Sequence, residues 1–550
     1  MTTASSSPPA LLEEALLHHR KGELREAAKL YERVLKKAPQ HFDALHLLGL
    51  VNAQQGRMGE AFRLMSAALK INPNAPDAWS NFANVLRALR QSEQALDAVE
   101  RALALRPGDL ALMQQRGAAL VALGRMSDAR ACLDAVVARD PRQAEAWLNL
   151  GVARAALGDA SDALAAFDTV IRLSPRSAEA HYNRGTALLP LGRYADALAA
   201  FEQALALAPD HLKALSNKGR ALQQLGRHKE AIACFEAAIA REPKFADAHF
   251  NLSMSLLSSG DLARGFREYE WRWKRTGMTA PKFSKPLWLG GPESRGKRIL
   301  LHTEQGLGDA IQFVRYLPLV AETAATVFLQ VQPELKALFS ALPGVTACSA
   351  RGDALPDHDL QCPFGSLPLA FGDRPIPPTT PYLAVDDNRR QKWTVGLKKP
   401  GRRIALAWRG NAQHPNDRNR SIAIELLAPL FDLQDVTFVT LQPGLTPAET
   451  DVVRARGNVV HLGDDVSDMA DSAAILGLCD LTIAVDTSLA HLAGALARPL
   501  WLLLPSAPDW RWAWPEDRNL WYPDVRLFRQ TAPGNWPAVI ADVARALAEA

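Results

Sequence analysis

Seven prolines stand 34 residues apart, at Pro39, Pro73, Pro107, Pro141, Pro175, Pro209 and Pro243. No other feature restricts the fold as strongly, because composition alone does not set prolines in register. Glycines keep the same period at Gly22, Gly56, Gly124, Gly158, Gly192, Gly226 and Gly260, with Arg90 as the exception. One row of small residues runs Ala27, Ala61, Ala95, Ala129, Ala163, Ala197 and Ala231, and a second runs Gly49, Ala83, Gly117, Gly151, Gly185, Gly219 and Ser253. Two helices pack closely where the small residues meet, the glycine turns the chain between them, and the proline ends the second helix.

A 34-residue helix–turn–helix period resembles the tetratricopeptide repeat. The resemblance implies eight units over residues 8–277, stacked as an all-α right-handed superhelix with a concave groove. The last unit departs from the others, with Gly265 at the small position followed by Tyr269-Glu270-Trp271-Arg272-Trp273. Its two tryptophans read either as a docking core or as a ligand platform. One row is polar: Asn81, Gln115, Asn149, Asn183, Asn217 and Asn251, each two residues before a small residue. In this repeat family that position lies on the first helix of the unit, which faces the groove. A carboxamide both donates and accepts, so a ladder of them suits the backbone of an extended peptide. The other reading is that these side chains serve local bonds only.

The chain has 550 residues, 48% of them hydrophobic, which is ample for several cores. A net charge of +4 is small for this length and gives no global argument for nucleic acid. The five cysteines, Cys132, Cys234, Cys348, Cys362 and Cys479, are scattered, without the paired spacing of a zinc site or a disulfide framework. The start, MTTASSSPPA, lacks a basic segment followed by an apolar run, so no signal peptide is expected. No apolar stretch approaches the roughly 20 residues of a membrane span. A cytoplasmic protein without a membrane span is the expectation.

Residues 278–297 are expected to form an ordered connector, because Phe283, Leu287 and Trp288 favour burial. From Arg298 the pattern changes to strands alternating with helices. Strands are expected at 298–303, 326–331, 345–348 and near 358–361 in a first α/β lobe over 298–387. The polar, basic stretch 388–402 suits a hinge. A second lobe over 403–550 is expected to hold strands at 404–408, 436–441, 459–462, 481–485 and 499–504, with helices at 467–477 and 487–497. Two such lobes place a ligand in the cleft between them.

Three stretches bring chemistry to strand ends. The first is RILLHTEQGLGDAIQFVRY, residues 298–316, where a strand breaks at Gly306-Leu307-Gly308 and a helix begins near Asp309. Asp309 is either a helix cap or a carboxylate at the mouth of a site. The second runs from Arg409-Gly410-Asn411 to Arg420-Ser421. The third is Asp486-Thr487-Ser488-Leu489-Ala490-His491, where a hydroxyl pair opens a helix. Such a helix start suits an anion such as a diphosphate, although the same residues also serve as a plain cap with His491 packed on the sheet.

Together, residues 298–316, 404–421 and 480–505 are similar to GT-B glycosyltransferases of the heptosyltransferase type, over about residues 290–550. That family has a strand–Gly–Asp–helix segment in its first lobe, here Gly308-Asp309, and an Asp-Thr-(Gly/Ser)-x-x-His pattern in its second, here Asp486 to His491. The resemblance implies a GT-B fold of two Rossmann-like lobes and an inverting, metal-independent transfer from a nucleotide-sugar to a protein hydroxyl, with no further cofactor. Asp309 would be the general base. Thr487, Ser488 and His491 would hold the donor diphosphate, and Asp486 would contact the sugar. A basic residue in the Gly410 loop would neutralise phosphate: Arg420 beside Ser421, or Arg418, or His414. Met469 would border the base. Asp509-Trp510-Arg511-Trp512 with Trp521-Tyr522 either lines a sugar or acceptor pocket or packs the lobes. Repeats ahead of a GT-B enzyme also resemble, in architecture, the O-linked N-acetylglucosamine transferases, whose repeats carry a similar asparagine ladder, and bacterial flagellin-modifying transferases.

Three rival readings remain. Glu304 is a second candidate base. A dinucleotide-binding segment at Gly306-x-Gly308 lacks its third glycine, since position 311 is Ile. A repeat adaptor with an inactive α/β half would also fit the pattern.

Overall fold

The computed structural model describes residues 7–372, 374–377, 381–397, 401–414, 416–513 and 519–549. Residues 1–6 of the start read for a signal peptide, residues 398–400 of the expected hinge and residue 415 of the Gly410 loop lie outside the described residues. The chain divides into two compact units, Met1–Asn217 and Lys218–Ala550. The division falls inside helix Leu212–Gln224.

In the first unit, helices pair as antiparallel hairpins, from Pro8–Arg20 with Leu24–Lys37 to Ala178–Leu188 with Tyr194–Leu207. Each second helix stops two residues before its proline. The residue between leaves helical geometry, as at Ala38 (φ −138°, ψ 83°) and Ser174 (φ −141°, ψ 77°). Proline forces this, because its ring excludes the helical region for the residue before it. The second small row makes room for one large side chain from the following helix. A Cβ on Gly151 would lie 2.5 Å from the Phe167 ring, and one on Gly185 would lie 2.6 Å from Phe201. A further regularity was not anticipated. The Trp79 and Trp147 indoles donate to the carbonyls of Pro73 and Pro141 at 2.8 and 2.9 Å, and His181 meets that of Pro175 at 3.1 Å. Each tie fixes the start of one hairpin to the turn before it.

The turn glycines take left-handed backbone, with Gly158 at φ 90°, and Arg90 takes the same conformation at φ 60°. A side chain there costs about 1–2 kcal/mol, partly offset by its smaller unfolded-state entropy. Arg90→Gly is therefore expected to stabilise the chain by up to about 1 kcal/mol, whereas Gly158→Ala should destabilise it by a similar amount. Urea melts of the full-length variants check the opposite signs.

The second unit holds helices His228–Arg241, Ala246–Ser259 and Leu262–Tyr269, a 3-10 turn Glu270–Lys274, and two parallel sheets. Strands β1 (Arg298–His302), β2 (Thr326–Val331), β3 (Ala347–Ala350) and β4 (Leu360–Pro363) form the first sheet, in order β3-β2-β1-β4. Strands β5 (Arg402–Ala407), β6 (Val436–Thr440), β7 (Val459–His461), β8 (Leu481–Val485), β9 (Leu500–Leu504) and β10 (Val525–Arg529) form the second, in order β10-β9-β8-β5-β6-β7. Counted from β5, that is the doubly-wound order 3-2-1-4-5-6 read from the other edge, and the first sheet repeats its first four strands.

Two cores serve this unit: one runs from the last repeat through both lobes, and a second, around Trp408, Phe431, Phe438 and Trp536, covers the other face of the second sheet. Phe266 of the last repeat meets Phe313 and Trp510 edge-on, at 6.4 and 5.7 Å between centroids. Burial of this aromatic cluster ties the last repeat to the α/β part of the unit. In the connector, Trp288 is buried and its backbone N–H donates to Gln361 at 2.8 Å, but Leu287, expected inside, is 47% exposed. Leu287 sits as a single-residue bridge along β4, where its side chain turns outward.

The 388–402 stretch differs from the expected hinge. It carries helix Asp387–Thr394, capped by the Asp386 carboxylate on Arg389 N–H at 2.8 Å. Arg389 pairs with Asp468 and Asp471, and the Trp393 indole donates to Asp471 at 3.1 Å. These bonds lock the helix onto helix Met469–Gly477 of the second lobe.

Candidate functional site

Doubly-wound sheets bind ligands beyond the carboxyl ends of the strands where the order reverses. In the second sheet that point lies between β5 and β8, and the loops leaving them carry Arg409-Gly410 and Asp486-Thr487-Ser488. In the first sheet it lies between β1 and β4, whose loops carry Thr303 to Gly306 and Phe364 to Ser366. The second and third stretches singled out in the sequence therefore meet at one switch point, and the first stretch occupies the other.

Helix Leu307–Phe313 of the first lobe packs against helix Ser488–Ala495 of the second. Gly308 permits this approach, since a Cβ there would lie 2.7 Å from the His491 ring. In the fold this glycine serves helix contact. Gly306 is the N-cap residue, and Asp309, three positions on, accepts the Gly306 N–H at 3.0 Å. The other Asp309 oxygen pairs with the Arg511 guanidinium, and its side chain keeps 24% of its surface exposed. Asp309 is thus helix-start partner and site carboxylate at once.

Arg511 is the buried cation on which this region converges. It donates to Asp309, to Gln312 and, at 2.8 Å, to Asp509, while stacking 4.3 Å over Trp510. Asp486 accepts the Trp512 indole N–H at 2.9 Å. Burial pushes its carboxyl above the usual range, and the nearby Asp509 charge adds to this. His491 lies 3.9 Å from Asp486 and 3.1 Å from the Tyr522 hydroxyl. Burial first, then the charges of Arg511, Arg315 and Arg420, hold its pKa well below the ordinary value, so it is a neutral imidazole.

Thr487 caps helix Ser488–Ala495 by position only, with no side-chain bond to the helix. Among the described residues its buried hydroxyl has no hydrogen-bond partner. A buried hydroxyl normally finds one, so an orphan at a helix start calls for an explanation. Ser488, half-buried beside it, is the first residue of the helix.

The Gly410 loop closes on the same point. Arg420 donates to the Asp486 carbonyl at 2.8 Å and to the Asp417 carboxylate at 3.3 Å. Ser421 accepts the Gly410 N–H at 3.2 Å, and a Cβ on Gly410 would collide with the Arg420 guanidinium. Among the three basic candidates of this loop, Arg420 is the one seated against Asp486, while Arg418 and His414 are exposed. Although the residue as a whole is exposed, desolvation of its ring and then the Arg420 charge lower the His414 pKa, while Asp509, Asp309 and Asp417 act to raise it.

Met469 is a buried core residue at the start of helix Met469–Gly477. The rival base Glu304 is buried and ion-paired to Arg272 at 3.2 Å. Among the carboxamides of the first unit, Asn81 contacts His46 at 3.1 Å, Gln115 accepts from Ser80 at 2.9 Å, and Asn217 donates to Thr186 at 3.4 Å. These bonds link adjacent hairpins. Asn183 donates to Glu179 at 3.3 Å within its own helix. Asn149 is half-buried on the same row. Gln115 also lines a cavity of about 350 Å³ with Asn84, Arg87, Gln114 and Glu145. Asn251, in the second unit, accepts the Gln223 side chain on its main-chain carbonyl, not its carboxamide, at 2.8 Å.

Sequence reasoning did not single out Arg315 or Tyr382. Arg315 is buried, donates to the Trp521 carbonyl at 2.8 Å and faces the Tyr382 and Tyr522 rings at 4.8 and 5.1 Å. The signal available was the dense Trp-Arg-Trp and Trp-Tyr pairing of residues 510–522, which matches cations only once the fold brings the two lobes together.

The tetratricopeptide repeat family matches residues 12–76, 115–168 and 216–281, and further forms of the repeat match 176–244 and 52–115. The first half is therefore a run of tetratricopeptide repeats. Protein FlbA of Caulobacter vibrioides is 29% identical over 325 residues, covering 53% of this chain and 53% of that protein. The chain thus spans about half the length of that relative. Among solved structures, a tetratricopeptide repeat protein from Parabacteroides merdae is 19% identical, covers 45% of this chain and 98% of its own, and has a TM-score of 0.38. YrrB, described as a repeat protein with an unusual peptide-binding site, is 23% identical over 34% of this chain and 97% of its own, with a TM-score of 0.29.

Proposed function

We propose that the repeats select a polypeptide and that the α/β half transfers a sugar to it from a nucleotide-sugar. The repeat half is a protein-interaction module, and no helix among the described residues is long and apolar enough to cross a membrane. The observation that carries the transferase reading is the orphaned Thr487 hydroxyl at the start of helix Ser488–Ala495, at the switch point of a doubly-wound sheet. A departing diphosphate there would meet the helix N–H groups, Thr487, Ser488 and the Arg420 guanidinium, all suited to developing negative charge. Neutral His491 would contribute a hydrogen bond and no charge. Asp309, the part-exposed carboxylate across the cleft, would take the acceptor proton, and one displacement with one base inverts the anomeric centre.

Thr487→Ala with Ser488→Ala should weaken donor binding by about 1–3 kcal/mol. A thermal-shift screen across UDP-, GDP-, ADP- and CMP-sugars identifies the donor, and calorimetry on the variant measures the loss. Unchanged donor affinity would remove the diphosphate from this helix.

A second reading, an adaptor without catalysis, draws on one observation. Four carboxylates, Asp309, Asp417, Asp486 and Asp509, outnumber three guanidiniums, Arg315, Arg420 and Arg511, around the cleft, a balance that opposes a diphosphate. Hydrolysis of a nucleotide-sugar by the purified protein separates the two, since an adaptor gives none.

A further inference from the structure

We infer that Arg272, in the turn that closes the last repeat, is a positioning residue for the glycine loop leading to Asp309. The role rests on the transferase reading of Asp309, but the contacts behind it do not.

Arg272 is only 3% exposed. Its guanidinium stacks on Tyr269 and Trp273, 4.7 and 4.6 Å from the ring centres. Nη1 donates to Glu270 at 2.7 Å, and Nη2 donates to Ser366 at 2.8 Å and to Glu304 at 3.2 Å. Ser366 donates in turn to Glu270 at 2.7 Å, and the Gly365 N–H donates to Glu304 at 3.0 Å. Glu304 follows β1 and Ser366 follows β4, so a single guanidinium grips both loops at the switch point of the first sheet.

A docking ion pair could sit anywhere on a sheet face. This one is aimed at the loops of the ligand-binding edge. A second residue of the repeat adds to the grip. The Tyr269 hydroxyl accepts the Gln305 side chain, and the Gln305 carbonyl accepts Gln332 at 2.6 Å. Glu304 and Gln305 are therefore fixed from the repeat side, and the next residue, Gly306, offers the N–H that holds Asp309. The Glu304 side chain is 3% exposed, and one of its oxygens already accepts two bonds, so it serves this clamp. Gly365 is needed for the geometry, since a Cβ there would lie 2.5 Å from that oxygen.

The test uses the full chain. Arg272→Lys keeps the charge and loses the fork, and Tyr269→Phe keeps the ring and loses the hydroxyl. Hydrogen exchange is followed across residues 303–309, and transfer kinetics are read beside it. For Arg272→Lys, exchange in 303–309 should rise about tenfold or more while the sheet strands keep their protection. The kcat should fall about tenfold with donor KM within about twofold, since misplacing a reacting group costs turnover more than binding. Tyr269→Phe should give the same pattern in weaker form. A purely structural role would lower protection evenly through both sheets and leave kcat per folded molecule unchanged, and that overturns the inference. Unchanged exchange in 303–309 also overturns it. If the wild-type chain transfers no sugar, the transferase reading fails on its own, and selective loosening of 303–309 still supports the clamp.

Discussion

Asp309→Asn is expected to lower sugar transfer by about 10²–10⁴-fold while donor affinity stays nearly intact. The substitution keeps the shape and one acceptor oxygen, so the Gly306 N–H can keep a partner and the helix start survives. What it removes is the negative charge facing Arg511. That guanidinium retains Asp509 and Gln312, so the buried cation is not stranded. A melting loss of about 1–3 kcal/mol covers the weakened pair and cap. An Asp309 that only caps the helix would show that melting loss with near-normal turnover per folded molecule. Turnover and melting curves on one preparation therefore separate the roles. The Arg511 pair sharpens the expectation. Asp309 accepts a proton in the proposed reaction only if Arg511 leaves it or shares it, and a bound diphosphate is the partner chemically suited to draw Arg511 away. Transfer should then depend on donor binding first, and the acceptor should bind the donor-free enzyme without productive contact at Asp309.

The repeat half was legible because its pattern is redundant. Pro, Gly and small residues at fixed offsets specify helix end, turn and crossing point independently, and each recurs several times. The Trp79 and Trp147 ties to the proline carbonyls were not, because Leu45, Met113 and Leu215 break that row and hide its period. In the α/β half, strands buried on both sides were plain apolar runs, as with Leu481–Val485 and Leu500–Leu504. Edge strand β10 was missed because in Val525–Arg529 only Val525 and Phe528 are buried and both arginines face outward or sit half-exposed. The helix in the expected hinge was missed for a similar reason. Asp387–Thr394 is polar throughout except Trp393, and its docking comes from ion pairs with Asp468 and Asp471. The candidate site was half legible. Asp309, Arg420, Asp486, Thr487 and His491 stand in local strand–loop–helix patterns. Arg511 does not, since one of its two carboxylate partners, Asp309, lies 202 positions away and only folding makes it the centre of the cleft.

Replacing Asn149, Asn183, Asn217 and Asn251 with Ala should leave donor hydrolysis in place and sharply reduce transfer to the polypeptide acceptor. Each carboxamide that pairs with an acceptor backbone contributes about 0.5–1.5 kcal/mol, so losing even two or three lowers kcat/KM for the acceptor by about 10–10³-fold. The four positions are not equivalent in the fold. Asn217 also ties to Thr186, and Asn183 to Glu179, so their loss carries a stability cost that Asn149→Ala should not. Asn149→Ala alone is thus the cleaner probe, with an expected loss near the lower end of that range. Asn81 and Gln115, which bond to His46 and Ser80 of neighbouring hairpins, should behave oppositely. Their alanine variants should lower the melting point first and acceptor transfer only as folding declines. Acceptor kinetics and melting curves for the single variants distinguish a peptide-binding ladder from a row of hairpin ties. Transfer to the native acceptor at the wild-type rate in the fourfold variant would remove the carboxamide row from acceptor binding altogether.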